Sequence, residues 1–249
     1  MLELVARHPR YGYRRIWALL QREGWQVNKK RIWRLWKQEG FKVPQNKHKK
    51  RRLGSAVNGC TRLRAAGIND VWALDFIFDV TANGRSLKWL SIVDEYTREC
   101  LALEVCRQFK AHDVIDVVRE LIAIRGAPGH VRCDNGPEFI AGALKGWLQS
   151  AKINALYIEP ASPWQNGFAE SFHSKLRDEL LAVEIFETLP QARALALAWR
   201  LEYNHRRPHS SLDYQTPAAF AAACGPRLPL GSLRSPSFQP QAACREVIQ

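Results

Sequence analysis

The sequence predicts an α/β fold, in which a mixed five-stranded sheet is flanked by helices and preceded by a small helical domain. Two observations support this prediction. Three apolar segments of strand length are followed by segments that alternate between helical and strand periodicity, an order typical of a mixed sheet with helices on its faces. Residues 1–52 differ in character, because they hold 16 Lys and Arg against 3 Asp and Glu, whereas the rest of the chain holds 21 of each sign.

Residues 1–52 are predicted to be a basic, helix-turn-helix-like DNA-binding domain. Apolar residues recur at helical spacing over 12–23, and Asn28 is the predicted N-cap of a second helix over 29–39. Two short helices joined by a tight turn suit DNA binding, although an ordinary helical hairpin fits the pattern equally well. The apolar side chains expected to face inward from the second helix are Ile32, Trp33, Leu35 and Trp36. Its candidate DNA contacts are Lys29, Lys30, Arg31 and Arg34.

The rest of the chain divides into three segments. Residues 53–69 are poor in periodic pattern and are predicted to be a linker. Residues 70–221 are the predicted core, including a C-terminal helix. Residues 222–249 are predicted to be a disordered tail, because 225–240 carry four prolines and little periodicity.

The predicted core begins with strands. Residues 71–78 form an almost wholly apolar run, typical of a strand buried on both faces. The turn signal Asn83-Gly84 predicts a hairpin between this strand and the next. The other predicted strands are 87–93, 99–105, 130–133 and 154–158, and the predicted helices are 111–125, 137–151, 166–182 and 187–203.

Three acidic residues in the core are candidates for a metal site. Asp75 lies in the middle of the buried first strand, where a carboxylate is costly unless it is paired or binds a metal. Asp134 directly follows a strand, and its Asp-Asn-Gly context fits either an ordinary turn or a functional group at the sheet edge. Glu170 lies on the helix over 166–182, where it points within about 20° of Arg177, and a solvated surface pair is the alternative there.

The three residues together favour a divalent cation more than each does alone. Mg²⁺ prefers oxygen ligands and is commonly held by a few carboxylates together with substrate phosphates. Two such ions, about 3.5–4 Å apart, can activate an attacking oxygen and stabilise a leaving one during displacement at phosphorus. Three acidic residues on different elements of one sheet could hold such a pair.

The chain resembles the second-reading-frame (OrfB-type) catalytic subunit of bacterial insertion-sequence transposases. That family has a retroviral-integrase-like core with a ribonuclease-H-like fold, and it shows the spacing found here, with 35 residues between Asp134 and Glu170. The resemblance covers about residues 7–221. Its matching segments are HPRYGYRRIWALL at 8–20, VWALDFIFD at 71–79, SIVDEYTREC at 91–100, CDNGPEF at 133–139, SPWQNGFAESFHSKLRDELL at 162–181 and YNHRRPHSSLDYQTPAAF at 203–220.

The resemblance implies roles for individual residues. It assigns Asp75, Asp134 and Glu170 as catalytic, metal-binding residues of a DDE-type transposase, with two Mg²⁺ or Mn²⁺ ions as cofactors. It also implies DNA contacts, in positions that match basic or polar residues of the family, by Arg177, Gln165, Asn166, Arg206 and Arg207. For Gln165 and Asn166, capping of the glutamate helix is the alternative.

The implied activity is metal-dependent cleavage at DNA 3′ ends and strand transfer during movement of an insertion sequence. The alternatives are a ribonuclease-H-like nuclease that only hydrolyses and a non-catalytic DNA-binding remnant or regulator. The implied partners are double-stranded DNA at the element ends and target, further copies of the chain as a homo-oligomer on DNA, and an upstream-reading-frame protein as fusion or partner.

The composition argues against several other classes of protein. No apolar stretch reaches the roughly 20 residues that span a bilayer, and the first ten residues lack the apolar core of a signal peptide. None of the six cysteines forms a C-x-x-C pair, so neither a zinc site nor a disulfide framework is expected. The cysteines are expected to be reduced thiols. A cytoplasmic protein of the bacterial nucleoid is the expectation.

Overall fold

A computed structural model describes residues 1–43, 63–134, 136, 139, 142–158 and 166–224. The chain divides into two compact units. The first unit comprises Met1–Leu63 together with Arg207–Thr216, and the second comprises Arg64–Arg206 together with Pro217–Gln249. The predicted linker and the predicted disordered tail therefore lie largely outside the described residues.

The first unit contains the two predicted helices and one that was not predicted. They are α1 (Leu2–Arg7), α2 (Tyr13–Arg22) and α3 (Lys29–Gln38). The side chain of Asn28 accepts a hydrogen bond from the Lys30 backbone N–H at 2.8 Å, which confirms it as the cap of α3. Gly24 and Gly40 follow α2 and α3 with φ of +87° and +67°, a conformation in which glycine avoids the strain of a side chain.

The small core of this unit departs from prediction at one residue of α3. Ile32 and Trp36 are buried as expected, but the prediction for Trp33 is wrong, because 41% of its surface is exposed. Its ring instead contacts the ammonium group of Lys37, whose Nζ lies 4.5 Å from the ring centre. Ile32 and Trp36 are the α3 residues in the apolar cluster, Leu35 is half-buried, and the other tryptophan of the helix, Trp33, faces outward.

The segment Arg207–Thr216 belongs to the first unit although it is distant from it in sequence. Tyr214 packs edge-on against Trp17, with ring centres 6.1 Å apart. The ammonium group of Lys29 lies 4.5 Å from the Trp17 ring centre and 5.5 Å from that of Tyr214. Arg22 donates a hydrogen bond to the Tyr214 carbonyl. Periodicity could not reveal this packing, because it joins segments about 190 residues apart.

The second unit is built on a mixed five-stranded sheet, which confirms the predicted fold class. Its strands are β1 (Val71–Val80), β2 (Ser86–Asp94), β3 (Cys100–Cys106), β4 (His130–Cys133) and β5 (Asn154–Tyr157). They lie in the order β3-β2-β1-β4-β5. The first three strands are antiparallel, which confirms the predicted hairpin, whereas β4 runs parallel to β1 and to β5.

Helices cover both faces of this sheet. They are α4 (Ala111–Arg125), α5 (Gly142–Ser150), α6 (Gly167–Leu176), α7 (Leu189–His205) and α8 (Pro217–Ala223). Side chains of α4 and α5 form one apolar cluster with one face of the sheet, and side chains of α6 and α7 form a second cluster with the opposite face. No helix in the described part of the chain is long and apolar enough to cross a membrane.

Some local predictions needed correction. β1 is buried on both faces only in its first half, since Phe78 near its end is 68% exposed. The helix predicted over 166–182 is α-helical only to Leu176 and continues as a π-helix over Arg177–Leu181. Among the described cysteines Cys100, Cys133 and Cys224 are free, but Cys106 is disulfide-bonded, so the expectation of reduced thiols is wrong there.

Candidate active site

Asp75 lies on the central strand and faces the side of the sheet covered by α6 and α7. Alternate residues of a strand point to opposite faces. Leu74 and Phe76 pack with the α4 and α5 cluster, and Ile77 with the α6 and α7 cluster. Asp75 therefore shares the face of Ile77, and its side chain is only 17% exposed.

Asp134 directly follows β4, the parallel neighbour of β1. The pairing of these strands runs as far as Ala73 and Arg132, two residues before Asp75 and Asp134. Besides burial, the charge of Asp134 raises the pKa of Asp75, so the two carboxylates are near enough to interact. The Asp134 carboxylate also accepts a hydrogen bond from the Gly136 backbone N–H at 2.9 Å, so the residue forms the expected turn as well. The two interpretations of its sequence context are compatible.

Glu170 lies in the first turn of α6 and is exposed. Its charge is near enough to influence Asp75. Burial raises the pKa of Asp75 to about 7, and the charges of Asp134 and Glu170 raise it as well. A hydrogen bond from the Phe76 backbone N–H and the charge of Arg177 act in the opposite direction. The charges of Asp134 and Glu170 thus both act on Asp75, in the middle of β1.

Two buried side chains from α6 and its N-cap contact the Asp75 carboxylate directly. Asn166 donates from Nδ2 to Oδ2 of Asp75 at 2.9 Å. The Nδ1 atom of His173 lies 3.5 Å from the same oxygen. The other ring nitrogen of His173 lies 2.8 Å from Oγ of Ser91, the residue paired with Asp75 on β2. Burial and the charge of Arg177 lower the pKa of His173 to about 3, so the imidazole is neutral.

The donor set of this site fits a divalent cation. Carboxylates and amide oxygens are the hard ligands that Mg²⁺ and Mn²⁺ prefer. Oδ1 of Asn166 is buried without a hydrogen-bond partner among the described residues. Within the same residues, no three His, Cys, Asp or Glu side chains lie close enough to form a ready-made metal site. A cation would offset the mutual repulsion that now raises the pKa of Asp75.

Family models match most of the chain. Residues 65–163 and residues 151–217 each match a model described as an integrase core domain, and residues 1–50 match an HTH-like domain. The two core matches together cover the sheet, α6 and α7. The N-terminal match coincides with the first unit's three helices.

Curated relatives come from bacterial insertion elements. The chain is 41% identical over 223 residues to an IS476 protein of Xanthomonas euvesicatoria, covering 89% of this chain and 63% of that protein. It is 38% identical over 222 residues to an IS407 protein of Burkholderia multivorans, covering 89% of this chain and 79% of that protein. A transposase, InsD of IS2 from Escherichia coli, is 28% identical over 231 residues, covering 87% of this chain and 75% of that protein.

The chain belongs to the insertion-element transposase family. Solved structures agree with this at the level of the fold. A chain of a simian T-cell lymphotropic virus intasome has a TM-score of 0.53 at 20% identity, covering 67% of this chain and 58% of that one. The HTLV-2 integrase catalytic core domain, in a structure with magnesium, has a TM-score of 0.50 at 18% identity, covering 64% of this chain and 99% of that one.

The resemblance implied DNA contacts by three residues near the site, Arg177, Asn166 and Gln165, and these residues differ in exposure and contacts. Arg177 is exposed, and its charge acts to lower the pKa of Asp75. Asn166 is 6% exposed and bonds to Asp75, so in this structure it is neither a DNA contact nor a side-chain cap of α6. Gln165 lies outside the described residues.

The two predicted contacts at the end of α7 differ sharply. Arg206 is exposed, with 75% of its side chain open to solvent. Arg207 is 1% exposed, and its guanidinium carbon lies 5.9 Å from the centre of the Tyr11 ring. The expectation of a DNA contact is corrected for Arg207, because a side chain buried in the first unit cannot reach a phosphate.

On α3 the four predicted basic contacts are all exposed: Lys29, Lys30, Arg31 and Arg34. The ammonium group of Lys29 is nevertheless engaged by the rings of Trp17 and Tyr214. The remaining three are available to a polyanion from the solvent side of the helix.

Sequence reasoning missed two residues of the site, Ser91 and His173. The hairpin pairs residues symmetrically about Asn83, so its register could have placed Ser91 opposite Asp75. His173 lies one helical turn beyond Glu170, on the flank of the apolar stripe of α6, which marks it as a buried neighbour of the carboxylate.

Proposed function

We propose that this chain is a DDE-type transposase that catalyses metal-dependent DNA 3′-end cleavage and strand transfer during movement of an insertion element. One observation carries the proposal. Asp75 lies on the sheet face that α6 covers, and the charges of Asp134, which directly follows the parallel strand β4, and of Glu170 in the first turn of α6 both act on it. The chain spans 63% of the length of its IS476 relative. That it carries the activity of such a full-length protein is therefore also proposed.

The proposed chemistry assigns one task to each group of residues. Asp75, Asp134 and Glu170 would hold two Mg²⁺ or Mn²⁺ ions. When bound, such ions would supply activation of the attacking oxygen and charge neutralisation at the leaving one. Asn166 holds the Asp75 carboxylate by the hydrogen bond at 2.9 Å. Arg177 provides a positive charge for the scissile strand's phosphates next to the carboxylates.

Binding of double-stranded DNA is proposed for two basic surfaces. The first is the solvent face of α3, formed by Lys30, Arg31 and Arg34, and Lys29 completes the face that the sequence predicted. The second is the exposed Arg206 at the end of α7. Both supply cations that replace counterions on the phosphate backbone. We also propose that the chain acts on DNA as a homo-oligomer in the bacterial nucleoid, with an upstream-frame protein as fusion or partner.

The test is an assay of joining on labelled DNA. Element-end DNA is incubated with the full chain in Mg²⁺ or Mn²⁺, and nicked and joined products are separated on a gel. Asp134→Asn and Glu170→Gln should abolish both products while leaving the affinity for DNA near that of the wild type, because they remove only metal ligands. Asp116→Asn, in an exposed ion pair on α4, is the matched control and should remain active.

Three results would contradict the proposal. Nicking without joining would identify a nuclease that only hydrolyses, and DNA binding without either product would identify a non-catalytic remnant. Joining that persists in EDTA would also contradict it, because the proposed chemistry requires divalent ions on the three carboxylates.

A further inference from the structure

His173 lies where the helix bearing Glu170 meets the two central strands. Its ring is buried, with 5% of the residue exposed. Nε2 lies 2.8 Å from Oγ of Ser91 on β2, and Nδ1 lies 3.5 Å from Oδ2 of Asp75 on β1. Both ring nitrogens therefore have a polar neighbour, which a residue that merely fills space would not need.

The Asp75 carboxylate and the Ser91 hydroxyl determine which ring nitrogen carries the hydrogen. Oγ of Ser91 lies 3.1 Å from the backbone carbonyl of Asp75 as well as 2.8 Å from Nε2 of His173. The neutral imidazole carries one N–H, and on Nε2 this hydrogen would leave a lone pair of Nδ1 facing the carboxylate. The hydrogen therefore belongs on Nδ1, where it faces Oδ2 of Asp75, and Nε2 accepts from the Ser91 hydroxyl.

These contacts form a closed cycle. It runs from the Asp75 carboxylate through His173 and Ser91 back to the carbonyl of Asp75. The cycle connects the carboxylate to its own backbone. Ser91 is the register partner of Asp75 and is 1% exposed, so the far side of the cycle lies within the paired strands β1 and β2.

The cycle also joins two of the proposed metal ligands. His173 follows Glu170 by three residues, so both project from neighbouring positions of one helix. A shift of that helix would therefore move the imidazole against Asp75. Together with Asn166, the N-cap of α6, the imidazole links Asp75 to the helix that bears Glu170.

We propose that His173, held in place by Ser91, is a positioning residue that sets the Asp75 carboxylate in the orientation needed to share divalent ions with Glu170. The inference rests on the proposed function, because it concerns the same carboxylates. It assigns a task to two residues of the chain that hold no metal and contact no DNA.

Two amide substitutions separate the two ends of the imidazole. In His173→Gln the amide nitrogen comes near the position of Nε2, which keeps the contact to Ser91 and removes the one to Asp75. In His173→Asn the amide nitrogen comes near the position of Nδ1, which keeps the contact to Asp75. Mn²⁺ binding to the full chain, followed by the electron paramagnetic resonance signal of free Mn²⁺, is measured for both variants without DNA.

We expect His173→Gln to weaken Mn²⁺ binding about tenfold, the usual effect of losing a group that orients a metal ligand. His173→Asn should retain most of the affinity, and Ser91→Ala should weaken it in the same direction but less. Ser174→Ala is the matched control on the same helix, because Ser174 is exposed. The Mn²⁺ concentration for half-maximal DNA joining should rise in the same order.

Wild-type Mn²⁺ affinity in His173→Gln would overturn the inference. It would do so even if the unfolding temperature of the variant fell, because His173 would then have only a structural role. If His173→Gln does not fold, unchanged Mn²⁺ affinity in Ser91→Ala overturns it instead. Failure of the proposed function gives a different result from failure of this inference. In that case the wild-type protein would bind Mn²⁺ but join no DNA. That result would leave the difference in Mn²⁺ affinity between the variants intact.

Discussion

At the scale of single residues, Asp75 combines burial with a negative charge that two neighbouring carboxylates oppose. The same features that raise its pKa to about 7 make a cation favourable at this position. Its identity as a candidate followed from the sequence alone, because a carboxylate in an apolar strand requires a partner. The hairpin register and the helical spacing could point to Ser91 and His173 as buried residues, but not to their contacts around Asp75, which depend on the packing of α6 against the sheet.

Replacing Asp75 with Asn should stabilise the metal-free protein at about pH 8 more than at about pH 4.5. The pKa of the carboxyl is about 7 when folded against an ordinary 3.8, so the folded state retains a proton that the unfolded state releases within that window. Wild-type stability therefore falls as pH rises from about 4 to 7 and then levels off. Urea unfolding in EDTA measures the free energy of unfolding of both proteins. The advantage of the Asn variant over the wild type should grow by roughly 2–4 kcal/mol between pH 4.5 and pH 8. An advantage of Asn that is the same at both pH values would contradict the burial argument.

The neighbouring residues Arg206 and Arg207 should separate DNA binding from stability. Arg206→Ala should weaken DNA binding without changing the unfolding temperature, because its side chain is 75% exposed. Arg207→Ala should cost about 2 kcal/mol of folding free energy, because it removes a residue that is 1% exposed and packs on Tyr11. DNA titrations and thermal unfolding distinguish them. If both variants lost DNA affinity equally and neither lost stability, Arg207 would be a DNA contact, as the sequence predicted.

At the scale of elements, local signals predicted what depends on local structure. The helix over 111–125 and the strand over 130–133 were predicted with the bounds that α4 and β4 have. The hairpin followed from its turn. α1 was missed because six residues carry too little periodicity, and the packing of Arg207–Thr216 was missed because it depends on contacts across most of the chain.

The basic face of α3 should contribute to DNA affinity through phosphate contacts. Replacing both Arg31 and Arg34 with Ala should reduce the slope of log affinity against log salt by about 2, because each contact to a phosphate accounts for about 1. Fluorescence anisotropy with labelled duplex DNA at several salt concentrations measures the slope. Arg119→Ala, which removes an exposed cation on α4, is the control and should leave the slope unchanged. An unchanged slope in the double variant would exclude this face as the DNA contact.

At the scale of the whole molecule, the charge distribution and the family spacing predicted more than any single motif. The excess positive charge lies in residues 1–52, which match the HTH-like family, and the balanced remainder folds into the integrase core. Asp134 directly follows β4, and Glu170, beyond the 35 residues between them, lies in the first turn of α6. The sequence could not show the side-chain orientations there, because they depend on the buried contacts of His173 and Asn166.

A crystal structure of the full chain soaked in Mn²⁺ would test the shared metal site most directly. Anomalous difference density locates the ions independently of any activity. We predict peaks within about 2.1 Å of carboxylate oxygens from all three residues, Asp75, Asp134 and Glu170. Peaks that lie elsewhere, or that Glu170 does not approach, would contradict the account.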